Sequence, residues 1–237
     1  MIASLPMYDW PEFQAATDAL WQDMRDGLRA AGEPAPDALT RGADPWDDWT
    51  AADLSIGQTC GWPLVRDLLG KVTVLGAFDR AMPEAEPPGH YHSVLIRRQG
   101  DATPPRRFAF NEEGSQSGYA ALVNTRSIDD MIPVKTGAHR ASIMSVAANE
   151  ADIAAIDCVS WAMAQQVEPA AVAALAVVGR SRSTPGLPLI TRLGVDVDRF
   201  RQVLTHVATG RAARHLGITG FVAFEPEDYV RTIGIHP

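Results

Sequence analysis

The residues best placed for chemistry lie in one short stretch, residues 111–119, reading NEEGSQSGY. A β-forming run over residues 107–110 leads into it, and a helical pattern over residues 119–125 leads out. A strand, a Gly/Ser turn and a helix start in succession aim backbone N–H groups and the Ser115 and Ser117 hydroxyls at one spot, a nest for an anion. The same serines would serve equally as plain N-caps in a protein that binds nothing there. Two sharper chemistries fail on residue identity. A nucleophile elbow needs serine where Gln116 stands, and a P-loop needs a Gly-Lys-Ser/Thr run that the chain lacks.

Three further groups carry donors or carboxylates. His90, Tyr91 and His92 form an HxH pattern, and on a strand the two histidines share one face while Tyr91 and Ser93 share the other. Two ligands do not make a zinc site. His139 is a conceivable third, but no acidic residue stands at a recognisable ligand spacing, so neither a metal nor a cofactor is expected. His139 follows Gly137 at a helix start, where imidazole either donates to an anion or caps the helix. Asp157 closes an apolar run. Carboxyl ends of strands are where open α/β sheets bind ligands, and also where aspartates cap turns. Trp46, Trp49 and Trp62 flank Gln58, Thr59 and Cys60, either as core or as an aromatic wall beside a ligand.

Positioning these groups takes alternating strands and helices. Strand-like runs fall at residues 2–7, 38–41, 54–57, 72–78, 91–98, 107–110, 151–157 and 175–178, and helical spacing at residues 11–31, 63–69, 137–148 and 196–209. Residues 221–229 read as extended, turning at Pro226. Breaks near residues 100 and 185 divide this α/β pattern into a discontinuous lobe, 1–97 with 186–237, and an inserted lobe, 98–185.

Composition narrows the classes. A formal charge of -8, from 29 acidic and 21 basic residues with no basic stripe, argues against a nucleic-acid partner. Only Lys71 and Lys135 offer an amine for Schiff-base chemistry. Cys60 and Cys158 form no CxxC pair and read as free thiols. No apolar run approaches the roughly 18 residues of a membrane span, so no membrane insertion is expected. The opening MIASLPMYDW has neither the basic start nor the cleavage site of a secretory leader.

In this order the pieces resemble the substrate-binding subunits of phosphate and phosphonate ABC transporters, the PhnD-like branch of the type II periplasmic-binding-protein superfamily. The marks are Met7 and Tyr8 after the opening strand, DLSIGQTCG at 53–61, YHSVLI at 91–96, NEEGSQSGY, TGAH at 136–139 and NEADIAAID at 149–157. The resemblance implies a two-lobed α/β fold of mixed sheets flanked by helices, with crossover strands and a ligand cleft that closes between the lobes. It implies solute capture rather than catalysis, a small phosphonate- or phosphate-like anion as ligand, no cofactor, and an ABC permease as partner. It assigns Ser115, Gln116 and Ser117 to the ligand's oxygens, His139 as an oxyanion donor and Tyr91 as a cleft hydroxyl. Asp157 matches an acidic residue that faces the ammonium of amine-bearing phosphonates, and Tyr8, Gln58 and Thr59 match contacts from the first lobe. Gln116 stands where a smaller hydroxyl residue is usual, and Gln58, Thr59 and Cys60 where a cleft aromatic is usual, so the ligand is expected to depart from the family's common ones. The family is periplasmic, whereas a start without a leader suits the cytoplasm. That leaves two alternatives, a cytoplasmic ligand sensor acting through a partner or an enzyme of the same fold related to pyrimidine-precursor synthases. Against the enzyme stands the lack of a nucleophile with an adjacent base.

Overall fold

The structure, a computed structural model, describes residues 1–80 and 82–233. The described residues form two compact units, one from Met1–His90 with Pro185–Ile233, the other Tyr91–Thr184. Two-residue strands mark the crossings, β4 (His90–Tyr91) and β10 (Thr184–Pro185).

The first unit holds a five-stranded sheet in the order β1 (Ile2–Ser4), β2 (Leu54–Gln58), β11 (Leu189–Thr191), β3 (Thr73–Asp79), β12 (Gly220–Val222). β1 and β2 are parallel, and β11 runs antiparallel to both β2 and β3. β2 is buried at every position, as a strand covered on both faces must be. One cover is the helix Gln14–Ala30 with the helix Val197–Val207. Leu20, Met24 and Leu28 repeat at helical spacing and pack with Phe200, Leu204, Ile56 and Leu75 in one core. The opposite core joins Leu54, Val74 and Ile190 to Leu64, Leu68, Tyr229 and Ile233.

The second unit holds a sheet in the order β7 (Ile132–Lys135), β6 (Arg107–Phe110), β8 (Ile153–Asp157), β5 (Ser93–Arg98), β9 (Leu175–Arg180). β6 is parallel to both its neighbours, while β5 is antiparallel to β8 and β9. β7 tolerates Pro133 because it lies at the sheet edge, where a missing N–H breaks no interior ladder. β8, reading IAAID, is buried throughout.

Asp152, one residue before β8, fastens the start of β6. Its Oδ2 accepts the backbone N–H groups of Arg106 at 2.9 Å and Arg107 at 2.8 Å, and its Oδ1 accepts Arg107 Nη2 at 2.7 Å. Its own N–H donates to the Arg107 carbonyl at 2.9 Å. Burial pushes the Asp152 carboxyl up, but the Arg107 guanidinium and the two backbone donors outweigh it and hold the group well below the usual carboxylate range.

Three expectations change. The first crossing falls after residue 90 rather than 97, because β5 is hydrogen-bonded on both sides to strands of the second unit; the second falls after residue 184 rather than 185. Residues 38–41 are not a strand. Flanked by Pro36 and Gly42, they make one backbone bond to the opening strand, Thr40 N–H to the Ala3 carbonyl at 2.7 Å. Residues 221–229 hold only the short strand β12, and Pro226 starts the helix Pro226–Ile233, with Glu227 and Asp228 in its first turn.

Replacing Asp152 with Ala strands two backbone donors and removes the ion pair of Arg107, whose guanidinium keeps only its bonds to Asn149. We expect a loss of about 2–3 kcal/mol by chemical denaturation. The Asp152 contribution is present above the ordinary aspartate value of 3.8 and is lost as pH falls through the lower folded-state value, so the variant's acid-side decline in stability should be shallower than the parent's.

Candidate functional site

Parallel strands share an edge at their carboxyl ends, and in the second unit Ser115 to Ser117 follow β6, His139 starts the helix after β7, and Asp157 closes β8. After β6 the chain turns toward β7, on one side. After β8 it leaves toward β9, on the other. Adjacent strands whose connections part in this way leave a crevice at their carboxyl ends, the place where open α/β sheets bind ligands.

Ser115 caps the helical run that follows it. Its Oγ accepts the Gly118 N–H at 3.0 Å, and the turn Gln116–Ala120 continues directly into the helix Ala121–Thr125. The capping reading therefore holds for Ser115 itself. Ser117 is held differently: its carbonyl accepts the Ser93 hydroxyl at 2.8 Å, and its Oγ lies 2.8 Å from His139 Nε2. Gly118 is required by close approach, since a Cβ there would stand 1.9 Å from Asn111 Oδ1.

Asp157 caps the helix Cys158–Val167. Its Oδ1 accepts the Ser160 N–H at 2.8 Å, and its Oδ2 accepts the Ser160 hydroxyl at 2.5 Å. The same Oδ2 lies 3.2 Å from His139 Nε2. Burial pushes the His139 ring below its usual value, against the pull of the Asp157 charge and the Ala155 carbonyl, so the ring is neutral near pH 7. Burial and the Asp157 charge also push the Cys158 thiol up to about 12, which keeps it protonated and unreactive.

Serine, histidine and aspartate in contact invite comparison with a hydrolytic triad, and the geometry differs. In a triad the carboxylate orients one ring nitrogen while serine bonds the other. Here Ser117 and Asp157 both meet Nε2. If Nε2 carries the proton, that single N–H is shared between two oxygens and no base is left to take a proton from Ser117. The Ser117 hydroxyl hydrogen is then available to a ligand.

A cavity of about 560 Å³ opens in this unit, and its lining includes Tyr91, His92, Ser93, Gln116, Ser117, Arg180 and Arg182. Ser115, His139 and Asp157 are absent from the lining. They support it from behind, all largely buried. Tyr8, Gln58 and Thr59 belong to the first unit, where they follow the carboxyl ends of parallel β1 and β2. Arg80 stacks over the Tyr8 ring, its Cζ 4.7 Å from the centroid. The Gln58 carbonyl accepts Trp49 Nε1 at 2.9 Å, and Thr59 N–H donates to the Pro188 carbonyl at 3.0 Å. Trp49 is thus a core residue with Trp46 packed edge-on at 5.1 Å.

The pairing of His90 with His92 on one strand face is not formed, because the strand breaks between them and they lie in different units. The His90 ring stacks edge-on against Phe224, while His92 is buried and lines the cavity. Among the described residues no three His, Cys, Asp or Glu side chains cluster to hold a metal ion, and no helix is long and apolar enough to cross a membrane. Sequence reasoning missed Ser93, Ser160 and Ser181, which brace the site, and Arg180 and Arg182, which line it. A usable signal existed only for Arg180, at the carboxyl end of an apolar strand.

The family described as the periplasmic substrate-binding protein of phosphonate ABC transporters matches residues 67–229, more than half of the chain. The chain belongs to this family. Its members are binding proteins that serve transport and not enzymes. None of the curated proteins is similar enough in sequence to match. Among solved structures, PhnD1 of Prochlorococcus marinus in complex with methylphosphonate is similar over 97% of this chain and 94% of its own, with a TM-score of 0.74 at 13% identity. The binding-protein component of an ABC phosphonate transporter from Pseudomonas aeruginosa aligns over 90% of this chain and 78% of its own, with a TM-score of 0.66 at 14% identity. The Xanthomonas citri protein XAC2383, solved bound to ATP, aligns over 92% and 91%, with a TM-score of 0.67 at 17% identity. At such identities the likeness establishes the two-lobed type II periplasmic-binding fold for this phosphonate-binding family member.

Two outcomes follow from the packing of the site. Gly118→Ala must displace Asn111 or the Ser115 cap, and should cost about 1–3 kcal/mol in thermal or chemical unfolding. The folded-state value of His139 lies below the ordinary 6.5, so its contribution to stability is present above 6.5 and declines as pH falls from there through the lowered value. His139→Gln should flatten the fall in melting temperature between about pH 7 and about pH 5; an equally steep fall in the variant would overturn this assignment.

Proposed function

We propose that this family member captures a small phosphonate- or phosphate-type anion at the carboxyl edge of β6 and β8 and delivers it to an ABC permease, with the periplasmic location of the family. Ser117 and Gln116 donate to the ligand's oxygens, and Tyr91 adds a phenol to the same cavity. Ser115 holds the turn in place. His139 and Asp157 fix the orientation of Ser117, which in the Nε2-protonated ring keeps its hydroxyl hydrogen for the ligand. Tyr8, Gln58 and Thr59 remain assigned to the ligand on the resemblance alone.

The observation that carries this reading is the contact of Ser117 Oγ with the buried His139 beside a polar cavity lined by Ser117 and Gln116. A hydroxyl backed by a fixed acceptor network is a preorganised donor, and tetrahedral oxyanions are its natural complement. Capture needs no covalent step, so a site that has donors but lacks an activated nucleophile is complete for the task.

The test is calorimetric titration with methylphosphonate and with inorganic phosphate. Ser115→Ala combined with Ser117→Ala should weaken binding by about tenfold to a hundredfold, the worth of the one hydrogen bond from Ser117 to a charged group, with the turn loosened by loss of the Ser115 cap. Loss of the Ser115 cap alone should cost only about 1 kcal/mol of stability. Undiminished affinity in the folded double variant would remove the site from these residues.

A further inference from the structure

We propose that the first unit holds a second ligand site, distinct from the anion cavity: a small pocket at the carboxyl end of β1 that takes an ammonium group on Asp48 and Ser4.

The pocket has a volume of about 200 Å³, and its lining includes Ser4, Asp9, Gln14, Thr40, Arg41 and Asp48. All belong to the first unit. Ser4 ends β1, which runs parallel to β2, so the pocket lies at the carboxyl edge of a parallel pair, where open α/β sheets bind ligands.

The charges of the lining do not balance. Arg41 Nε and Nη2 donate to the two oxygens of Asp9, Nη2 at 3.0 Å, and Nη1 lies 2.8 Å from Asp18 Oδ1. That guanidinium is engaged on every nitrogen. Asp48 is left over. It is 4% exposed, and among the described residues none donates a hydrogen bond to its carboxylate or pairs with its charge. The helix Pro45–Trp49 does not need it as a cap, because Asp44 fills that place by accepting the Trp46 N–H at 3.0 Å. Its position is imposed by the next residue: Trp49 is core, and its Nε1 holds the helix against β2 through the Gln58 carbonyl at 2.9 Å. A carboxylate kept under cover with no donor of its own is costly, and a cation bearing N–H groups removes that cost. Ser4, 2% exposed, adds a hydroxyl that is also unengaged among the described residues.

The donor set selects the ligand. Asp9 and Asp48 against Arg41 leave the lining with one net negative charge, which suits a monovalent group. An ammonium carries only donors, and the Asp48 oxygens, the Ser4 hydroxyl and the remaining lone pairs of Asp9 are its complement. A divalent ion asks for about six or more oxygen ligands, and among the described residues no three His, Cys, Asp or Glu side chains cluster to begin such a set. The volume lies below the roughly 300 Å³ at which pockets for whole drug-sized ligands begin, so it fits an ammonium ion or the end of a small primary amine.

The experiment follows thermal unfolding and calorimetric titration of the intact chain with the chlorides of methylammonium, ammonium, sodium and potassium. Ionic strength is held constant with tetramethylammonium chloride, a cation without N–H groups. Methylammonium and ammonium should raise the melting temperature in proportion to the logarithm of their concentration once the site is filled. Asp48→Asn keeps the shape and removes the charge, so it should weaken methylammonium binding about tenfold or more. Without amine its melting temperature should equal or exceed the parent's, because an uncompensated carboxylate is gone. Ser4→Ala should weaken methylammonium binding several-fold. No response of the parent to methylammonium, or a response that survives in Asp48→Asn, overturns the site; an equal response to sodium or potassium overturns the ammonium assignment. Because the probes share one anion, none of these outcomes bears on the phosphonate site.

Discussion

The candidate site depends on the parallel register of β6, β7 and β8. Three strands that run the same way end at the same edge, and only that arrangement brings Ser117, His139 and Asp157 within hydrogen-bond reach across 40 residues of chain. Parallel ladders have no tight turn to set their alignment, so register must come from side chains and from burial. Asp152 supplies it at the opposite end. By accepting the Arg106 and Arg107 amides it places Phe108 opposite Ile153 and Ala109 opposite Ala154. A slip by one residue would turn every β8 side chain to the other face and carry Asp157 away from His139. The ion pair at one end of the sheet and the proposed binding groups at the other are thus a single mechanical arrangement.

How much of this was legible in the sequence follows from the range of each interaction. Ser115 to Ser117 could be found because a strand, a Gly/Ser turn and a helix start are contiguous, and His139 and Asp157 because each stands at the boundary of an apolar run. Which reading of each was right could not be read locally. Ser115 and Asp157 are both true helix caps, and Asp157 also faces His139, so capping and site-building coincide. Ser93 and Ser181 carry no assignable role in the sequence because a lone serine near a strand end is ordinary, and their bond joins residues 88 apart. The lobe boundary was placed seven residues late for a similar reason. Breaks in the pattern at Gly100 to Pro105 are a strong local signal, whereas the partners of β5 are chosen by the sheet. At the carboxyl end, Pro226 suggested a turn, and its second meaning as the first residue of a helix prevailed because Tyr229 and Ile233 have a core to enter.

The electrostatics of the network behind Ser117 limits how an anion can be held there. A buried carboxylate meets the same nitrogen of a neutral imidazole as Ser117 does, so the net charge beside the proposed subsite is unfavourable to an anion. Attraction at Ser117 must therefore come from oriented dipoles, the hydroxyl, the Gln116 amide and the N–H groups of the turn, rather than from a cation. Dipoles fixed by packing act over short distances and demand geometry. They discriminate by the position of acceptor oxygens, which is what a binding protein needs in a medium full of other anions. Gln116 then acquires a definite role. Where it lines the cavity, it offers a neutral amide, so under the proposed reading it alters the donor and acceptor pattern of the turn without changing the charge.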